Sequence, residues 1–369
     1  MLIRISTPKS PKGDFIAEKL FSSIPLKAPF RGLGVDIFQF LELAQTLPVV
    51  DVRSPGEYRQ GHIAGAVNIP LFSDEERAAV GTAYAKTGSK EATLQGLEFA
   101  GKKMRSLCEA ALALKSEQLL VHCWRGGMRS RSMAWLFETV GLQCIVLNGG
   151  YKVFRRAVLD ELSAPRELRI LSGYTGSGKT SILAELKKMG QQAIDLEALA
   201  HHKGSAFGAL GQPPQPGTEQ FENLLFAELQ KTDRSKPLWL EDESINIGKV
   251  QVTPAFFARM KSAETLQVIV SQPVRLQHLL NEYGSFDRAL LAEAIKKIEK
   301  RLGYDKCKQA LSLCAAGDLA QVAKILLDYY DKAYEFQISA RAPETVTRIE
   351  ISDNASAAEI AEIIMNYKL

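Results

Sequence analysis

The chain lacks any apolar run approaching the ~18 residues of a membrane-spanning helix. Its first thirty residues carry scattered lysines but no apolar core or small-residue cleavage site, which argues against a secretory signal. The five cysteines (Cys108, Cys123, Cys144, Cys307 and Cys314) are odd in number and form no Cys-x-x-Cys pair and no zinc-ligand spacing. A disulfide scaffold is therefore excluded and a reducing, cytoplasmic compartment is expected. An excess of one charge sign is nearly absent: a net +4 permits nucleic acid as a partner without demanding it. Internal repeats and low-complexity tracts are also missing. What remains is 369 residues, 46% hydrophobic and 24% charged, an ordinary globular balance with room for two cores.

Against that background two loops stand out: His122-Cys123-Trp124-Arg125-Gly126-Gly127-Met128-Arg129 and Gly173-Tyr174-Thr175-Gly176-Ser177-Gly178-Lys179-Thr180. Each follows a short apolar run that reads as a strand and precedes a helical pattern. Amide N–H groups at such a junction converge on bound negative charge, aided by the helix dipole. One loop carries a thiol and the other a lysine, so the chain is expected to move a chalcogen group and to handle a phosphorylated co-substrate.

Alternating apolar runs and helical patterns predict strands at 48–52, 119–122 and 144–147, with helices over 37–47, 95–115 and 130–140. The pattern breaks around Leu162-Ser163-Ala164-Pro165-Arg166-Glu167 and resumes with strands at 168–171, 193–196, 238–240, 267–270 and 346–351. Residues 285–336 read as wholly helical, and 357–367 as a closing amphipathic helix. The expected organisation is an extension over 1–34, loosely ordered as far as Arg31, then a parallel-sheet domain over 35–160 and a linker over 161–167. A second α/β domain with a helical insertion follows over 168–369.

Asp51-Val52-Arg53-Ser54-Pro55-Gly56-Glu57-Tyr58, Gly61-His62-Ile63-Ala64-Gly65-Ala66-Val67-Asn68-Ile69-Pro70 and Leu147-Asn148-Gly149-Gly150-Tyr151 resemble, in order, the signature segments of the rhodanese fold. That resemblance makes Cys123 the nucleophile. Amides at a helix start, with Arg125 and Arg129 nearby, favour a thiolate there, and Gly126 and Gly127 let the backbone turn its N–H groups inward. The other four cysteines read as buried structural residues. Asp51, Arg53, Glu57 and His62 read as hydrogen-bonders that hold the fold. Trp124 stands where simple sulfurtransferases often have arginine, and Cys123-x5-Arg129 also fits the longer loop of phosphatases that share this fold. The thiol loop alone leaves sulfurtransferase, phosphatase and selenium handling open.

Gly173-x4-Gly178-Lys179-Thr180 matches the P-loop pattern in its strand–loop–helix setting. Its amides would cradle a diphosphate, Lys179 would add a charge, and Thr180 would ligand Mg²⁺. Leu238-Trp239-Leu240-Glu241-Asp242-Glu243-Ser244 reads as an apolar strand ending in metal-holding carboxylates; Asp242 is the chosen ligand, with Glu241 and Glu243 as alternatives. Asp195 ends the neighbouring strand at the sheet edge where ligands bind. Adjacent His201 and His202 point apart and do not suit a two-histidine metal site.

Together with Leu71-Phe72-Ser73-Asp74-Glu75-Glu76-Arg77-Ala78-Ala79-Val80-Gly81-Thr82-Ala83-Tyr84, Asp195-Leu196-Glu197, His202-Lys203-Gly204-Ser205 and Leu327-Asp328-Tyr329-Tyr330-Asp331, these loops resemble the bacterial tRNA 2-selenouridine synthase family. Lys203 stands where that family more usually has arginine. The resemblance implies a rhodanese-like domain fused to a P-loop NTPase-like domain. It implies a transferase that alkylates the sulfur of wobble 2-thiouridine in tRNA with geranyl diphosphate and then replaces geranylthiol with selenium from selenophosphate. Cys123, Arg125 and Arg129 would serve the selenium step, and residues 173–180 the diphosphate with Mg²⁺. Partners would be tRNA and the enzyme that makes selenophosphate, with no membrane involved. Lys296, Lys297, Lys300, Arg301, Lys306 and Lys308 form a candidate tRNA surface, although a solvated helix face reads equally well. An ATP-dependent tRNA sulfurtransferase carrying a persulfide on Cys123, and a redox- or phosphate-sensing regulator, stand as the competing readings.

Overall fold

Two all-parallel five-stranded sheets organise the computed structural model, which describes residues 33–367. Strands β1 (Leu33–Val35), β2 (Val49–Asp51), β3 (Val67–Asn68), β4 (Gln118–His122) and β5 (Gln143–Leu147) pair in the order β1-β5-β4-β2-β3. Next come β6 (Leu168–Gly173), β7 (Gln192–Ile194), β8 (Leu238–Glu241), the two-residue hairpin strands β9 (Asn246–Ile247) and β10 (Val250–Gln251), β11 (Glu264–Ile269) and β12 (Val346–Glu350). The second sheet runs β12-β11-β6-β8-β7. The described residues fall into two compact units, divided between Ala157 and Val158.

A parallel sheet covered on both faces demands strands that are apolar on both faces. The central strands comply: Leu119, Leu120 and Val121 of β4, and Ile170 and Leu171 of β6, are fully buried. Around β4 pack Val50, Met133, Ala134, Phe137 and Val146, and around β6 pack Ile182, Leu186, Trp239, Leu266 and Val268. A third cluster joins the helices Arg288–Lys297, Tyr304–Ala316 and Leu319–Ser339 through Leu291, Ile295, Cys307, Cys314 and Leu326. No helix among the described residues is long and apolar enough to cross a membrane.

Several boundaries differ from the sequence reading. Residues 33 and 34, assigned to the extension, open β1 and pair with β5; a three-residue edge strand is too short to show a period. Residues 1–32 of that extension lie outside the described residues. The helix expected over 95–115 is two helices, Ser89–Gly101 and Met104–Leu112, preceded by an unforeseen helix Asp74–Thr87. That earlier helix buries none of its residues and so carries no apolar stripe for periodicity to detect. Its start is nonetheless written locally, because Ser73 and Glu76 form a reciprocal capping box. The linker placed at 161–167 is helical as far as Ser163, since Val158 and Leu162 are buried and carry the helix Gly150–Ser163 onward.

Ile170→Ala, at the centre of the second sheet, is expected to cost about 2–5 kcal/mol. Ser73→Ala, which removes one cap on an exposed helix, is expected to cost about 1 kcal/mol. Denaturant unfolding would check the pair, with Trp239 fluorescence reporting on the second unit. A larger loss from Ser73→Ala than from Ile170→Ala would contradict this placement of the core.

Candidate functional site

Cys123 follows the central strand of the first sheet, and its loop is held from behind by backbone. The Cys123 carbonyl accepts from Tyr151 N–H at 2.8 Å and the Trp124 carbonyl from Lys152 N–H at 3.0 Å. Gly126 (φ +63°) and Gly150 (φ +61°) face one another. A Cβ on Gly126 would lie 2.5 Å from the Leu147 carbonyl, and one on Gly150 would collide with the Cys123 carbonyl. Only glycine permits both the left-handed backbone and this approach. Cys123 is 3% exposed, with Sγ 3.3 Å from the Ser130 hydroxyl. Ser130 sits in the first turn of the helix Met128–Glu138 and also meets the Gly127 carbonyl.

Of the two arginines expected here, Arg129 donates to the Glu57 carboxylate at 2.9 Å. Burial pushes the Glu57 carboxyl up, but the Arg129 hydrogen bond and charge outweigh it and hold the group below the usual carboxylate range. Arg125 is exposed and has no ion-pair partner among the described residues. Beneath the loop, Arg53 forms a buried pair with Asp51 (2.6 Å), donates to the Gly61 carbonyl and lies 3.7 Å over the Tyr151 ring. His122 is fully buried, and burial lowers its pKa to about 4 against the pull of Asp51, so the imidazole stays neutral. The remaining cysteines are free and buried. Burial raises all four, Cys144 to about 12, which leaves them poor nucleophiles.

The phosphate loop follows β6, the central strand of the second sheet, with left-handed Gly176 (φ +80°) and Gly178 (φ +78°) shaping it. Lys179 Nζ donates to the Gly173 carbonyl at 2.8 Å and lies 5.1 Å from the Tyr334 ring. Burial alone would lower the Lys179 pKa, yet Tyr334, Glu197, Glu243 and Glu241 together raise it. Arg275 grips Asp331 through both carboxylate oxygens at 2.8 Å and donates to the Thr175 carbonyl. Tyr174 donates to Glu335. Asp331, Tyr334 and Glu335 share one face of the helix Leu319–Ser339, so one helix clasps the loop at three points.

The carboxylates sort differently from the sequence reading. Asp242, expected at the metal, accepts from Arg341 at 2.7 Å and from Ser172 at 2.9 Å. Alternation at the end of β8 instead gives Glu241 and Glu243, with Glu197, to the side of Lys179. Burial and mutual repulsion raise Glu241 and Glu243 well above the usual range, and Glu197 shares a hydrogen bond with Glu243. Gly204 (φ +62°) backs onto that pair, which gives the His202–Ser205 stretch a structural reason. Asp195 caps the helix Leu196–Ala200 through Ala198 N–H at 2.7 Å and lines the same cavity. His201 and His202 diverge: the His201 ring meets the Pro214 carbonyl while His202 packs against Gly208. Lys203 pairs with Glu282 at the cavity wall.

That cavity is about 810 Å³. Residues 175–182 form its polar end, and Phe207, Leu291, Leu319, Val322, Leu326 and Tyr330 line an apolar lobe. Sequence reading missed the lobe, Tyr334 and the Arg275–Asp331 clasp, because they come from helices whose apolar stripes read only as core. As a test for Mg²⁺, Thr180 lines the cavity and the buried Glu241 Oε2 has no hydrogen-bond partner. No group of three or more His, Cys, Asp and Glu among the described residues could hold a metal by itself. This sparse donor set fits Mg²⁺, which keeps several waters and borrows substrate phosphate oxygens.

Comparison with known proteins agrees with both halves. Residues 39–157 match the rhodanese-like domain, and residues 166–362 match the tRNA 2-selenouridine synthase AAA domain. The tRNA 2-selenouridine synthase of Shewanella pealeana is 36% identical over 334 residues, which cover 80% of this chain and 90% of that protein. That of Bdellovibrio bacteriovorus is 40% identical over 251 residues, 65% of each chain. Among solved structures, an As-Sb reductase from Leishmania major overlaps 35% of this chain and 80% of its own at 18% identity and a TM-score of 0.24. With one match containing the thiol loop, the other the phosphate loop, and whole-length relatives uniting them, the chain belongs to the tRNA 2-selenouridine synthase family.

Proposed function

We propose that this chain converts wobble 2-thiouridine in tRNA to 2-selenouridine by way of S-geranyl-2-thiouridine, using geranyl diphosphate and selenophosphate. The observation that carries the reading is a phosphate loop opening directly into an apolar lobe. A prenyl diphosphate has that polarity: a charged head for the amides around Lys179 and a hydrocarbon tail for Phe207, Leu326 and Tyr330.

In the first step the thiouridine sulfur attacks the allylic carbon, a C–S bond forms, the C–O bond breaks and diphosphate departs with the electron pair. Negative charge grows on the departing group as the bond stretches. Loop amides and Lys179 are preorganised to receive it. Mg²⁺ bound at Thr180, with glutamates reached through water, would neutralise further diphosphate charge. Alkylation turns a poor leaving group into a thioether. Selenium from selenophosphate then attacks C2 of the pyrimidine, the C2–S bond breaks, geranylthiolate departs and takes up a proton, and water cleaves the Se–P bond to release phosphate. Cys123, near the Ser130 hydroxyl and the amides of its loop, serves this second step, with Arg125 free to meet the phosphate oxyanion.

Lys179→Ala should cost geranylation about 2–4 kcal/mol of barrier, by analogy with loss of one oxyanion donor. Purified protein incubated with tRNA, Mg²⁺ and either geranyl diphosphate or ATP provides the direct test. Alkylation that requires ATP, or brisk ATP turnover alone, would favour an adenylating sulfurtransferase. Cys123→Ser should abolish selenium incorporation and leave geranyl transfer largely intact, while Cys307→Ala should alter neither. Equal loss of both steps in a folded Cys123→Ser variant would refute the division of labour. Reversing the exposed charges at Lys296, Lys297 and Lys300 should flatten the salt dependence of tRNA binding. An unchanged slope would remove that surface from the RNA contact.

A further inference from the structure

Trp124 directly follows the nucleophile, yet the proposed chemistry gives it no task. Its ring is half-buried, with Tyr151 tilted against it at 5.6 Å and the Arg53 guanidinium 5.9 Å from its centroid. Arg53 is itself fixed by the buried Asp51 pair, so the indole is held from below while part of it remains in solvent. The Trp124 carbonyl is hydrogen-bonded to Lys152 N–H, which brings the exposed Lys152 side chain to the same rim. Arg125, Met128 and Arg131 are also exposed along this rim, and Met128 is 65% accessible, a large apolar side chain left uncovered one turn from the nucleophile. Arg125, Arg131 and Lys152 have no ion-pair partners among the described residues, while Arg129, which does have one, faces Glu57.

A fixed aromatic ring beside uncommitted cations has the chemistry of a single-stranded nucleic acid site. The ring stacks a base pulled out of its helix and the cations meet the flanking phosphates. We propose that Trp124 is the stacking platform for the wobble base in the selenium step, with Arg131 and Lys152 holding the backbone of the anticodon loop. The assignment rests on the reading that Cys123 serves that step. It accounts for the aromatic residue at a place where a small anionic substrate alone would be better served by arginine.

The test uses the full chain and a synthetic anticodon stem-loop RNA bearing S-geranyl-2-thiouridine at the wobble position. Trp124→Ala should weaken stem-loop binding, read by fluorescence anisotropy, and raise KM in the selenium step by roughly ten- to a hundredfold. Trp124→Phe should restore most of both, which a purely structural role would not require. Arg131→Ala and Lys152→Ala should each lower the slope of log K against log salt by about 0.7. A 5-iodouridine at the wobble position of the same stem-loop should photocross-link wild-type protein at Trp124 or Met128, a readout independent of turnover and of any variant's folding. Unchanged binding and KM in folded Trp124→Ala, or cross-linking confined to the second unit, would overturn the assignment. Absence of selenium transfer in wild-type protein alongside an intact cross-link would instead count against the proposed reaction and leave the RNA site standing.

Discussion

Both sites depend on backbone amides being brought, uncovered, to the end of a central parallel strand. A parallel sheet leaves its strand ends free of hairpins, so the chain must turn into a helix there, and the first N–H groups of that helix have no internal partners. In the first unit the turn is possible only because two glycines meet, Gly126 against the 147–150 segment and Gly150 against the Cys123 carbonyl. In the second, Gly173 packs so close to Ser177 and Val268 that a Cβ would collide with both. Side-chain chemistry is laid over these contacts. Cys123 and Lys179 differ in reactivity, but each is useful because the neighbouring main chain already favours a negative partner.

The second unit carries the opposite charge as well, and the balance matters. Glu197, Glu241 and Glu243 lie close enough to raise one another's proton affinity, and the half-buried Lys179 is the cation they face. Two carboxyls joined by a hydrogen bond, as Glu197 and Glu243 are, must share a proton. Such a cluster repels an anionic ligand unless cations or protons accompany it. A diphosphate entering with Mg²⁺ would therefore suit these residues far better than the bare anion. Asp242 stands apart from this exchange because Arg341 and Ser172 already satisfy it.

The sequence made the two loops legible because their meaning is local: a glycine pattern, a thiol or lysine, and a strand before a helix. Central strands were equally legible, since burial on both faces writes a continuous apolar run. Less was readable where the information is spread across the chain. Which of three adjacent acids lies toward Lys179 depends on the register at the end of β8: Glu241 and Glu243 take that side, and Asp242, the sequence's candidate, turns to Arg341 and Ser172. The Glu57–Arg129 pair spans 72 residues and the Arg275–Asp331 pair 56, distances at which no spacing rule operates. Helix Asp74–Thr87 escaped periodicity because it buries nothing, although its capping box was in plain view.

The helix Leu319–Ser339 draws the second unit's recognition into one element. Residues up to Tyr330 supply Leu319, Val322, Leu326 and Tyr330 to the apolar lobe, and the stretch after it supplies Asp331, Tyr334 and Glu335 to the phosphate loop. A helix is stiff over such a span, so a shift that relieves crowding in the lobe is transmitted to the clasp. The Thr175 carbonyl hangs from Arg275, and Arg275 hangs from Asp331, so the loop's geometry is set by where the helix lies. On the proposed reading, head and tail of a prenyl diphosphate would both meet this one helix. A tail of the wrong size would act through this helix on the loop that holds the head, and not only through its own missing contacts.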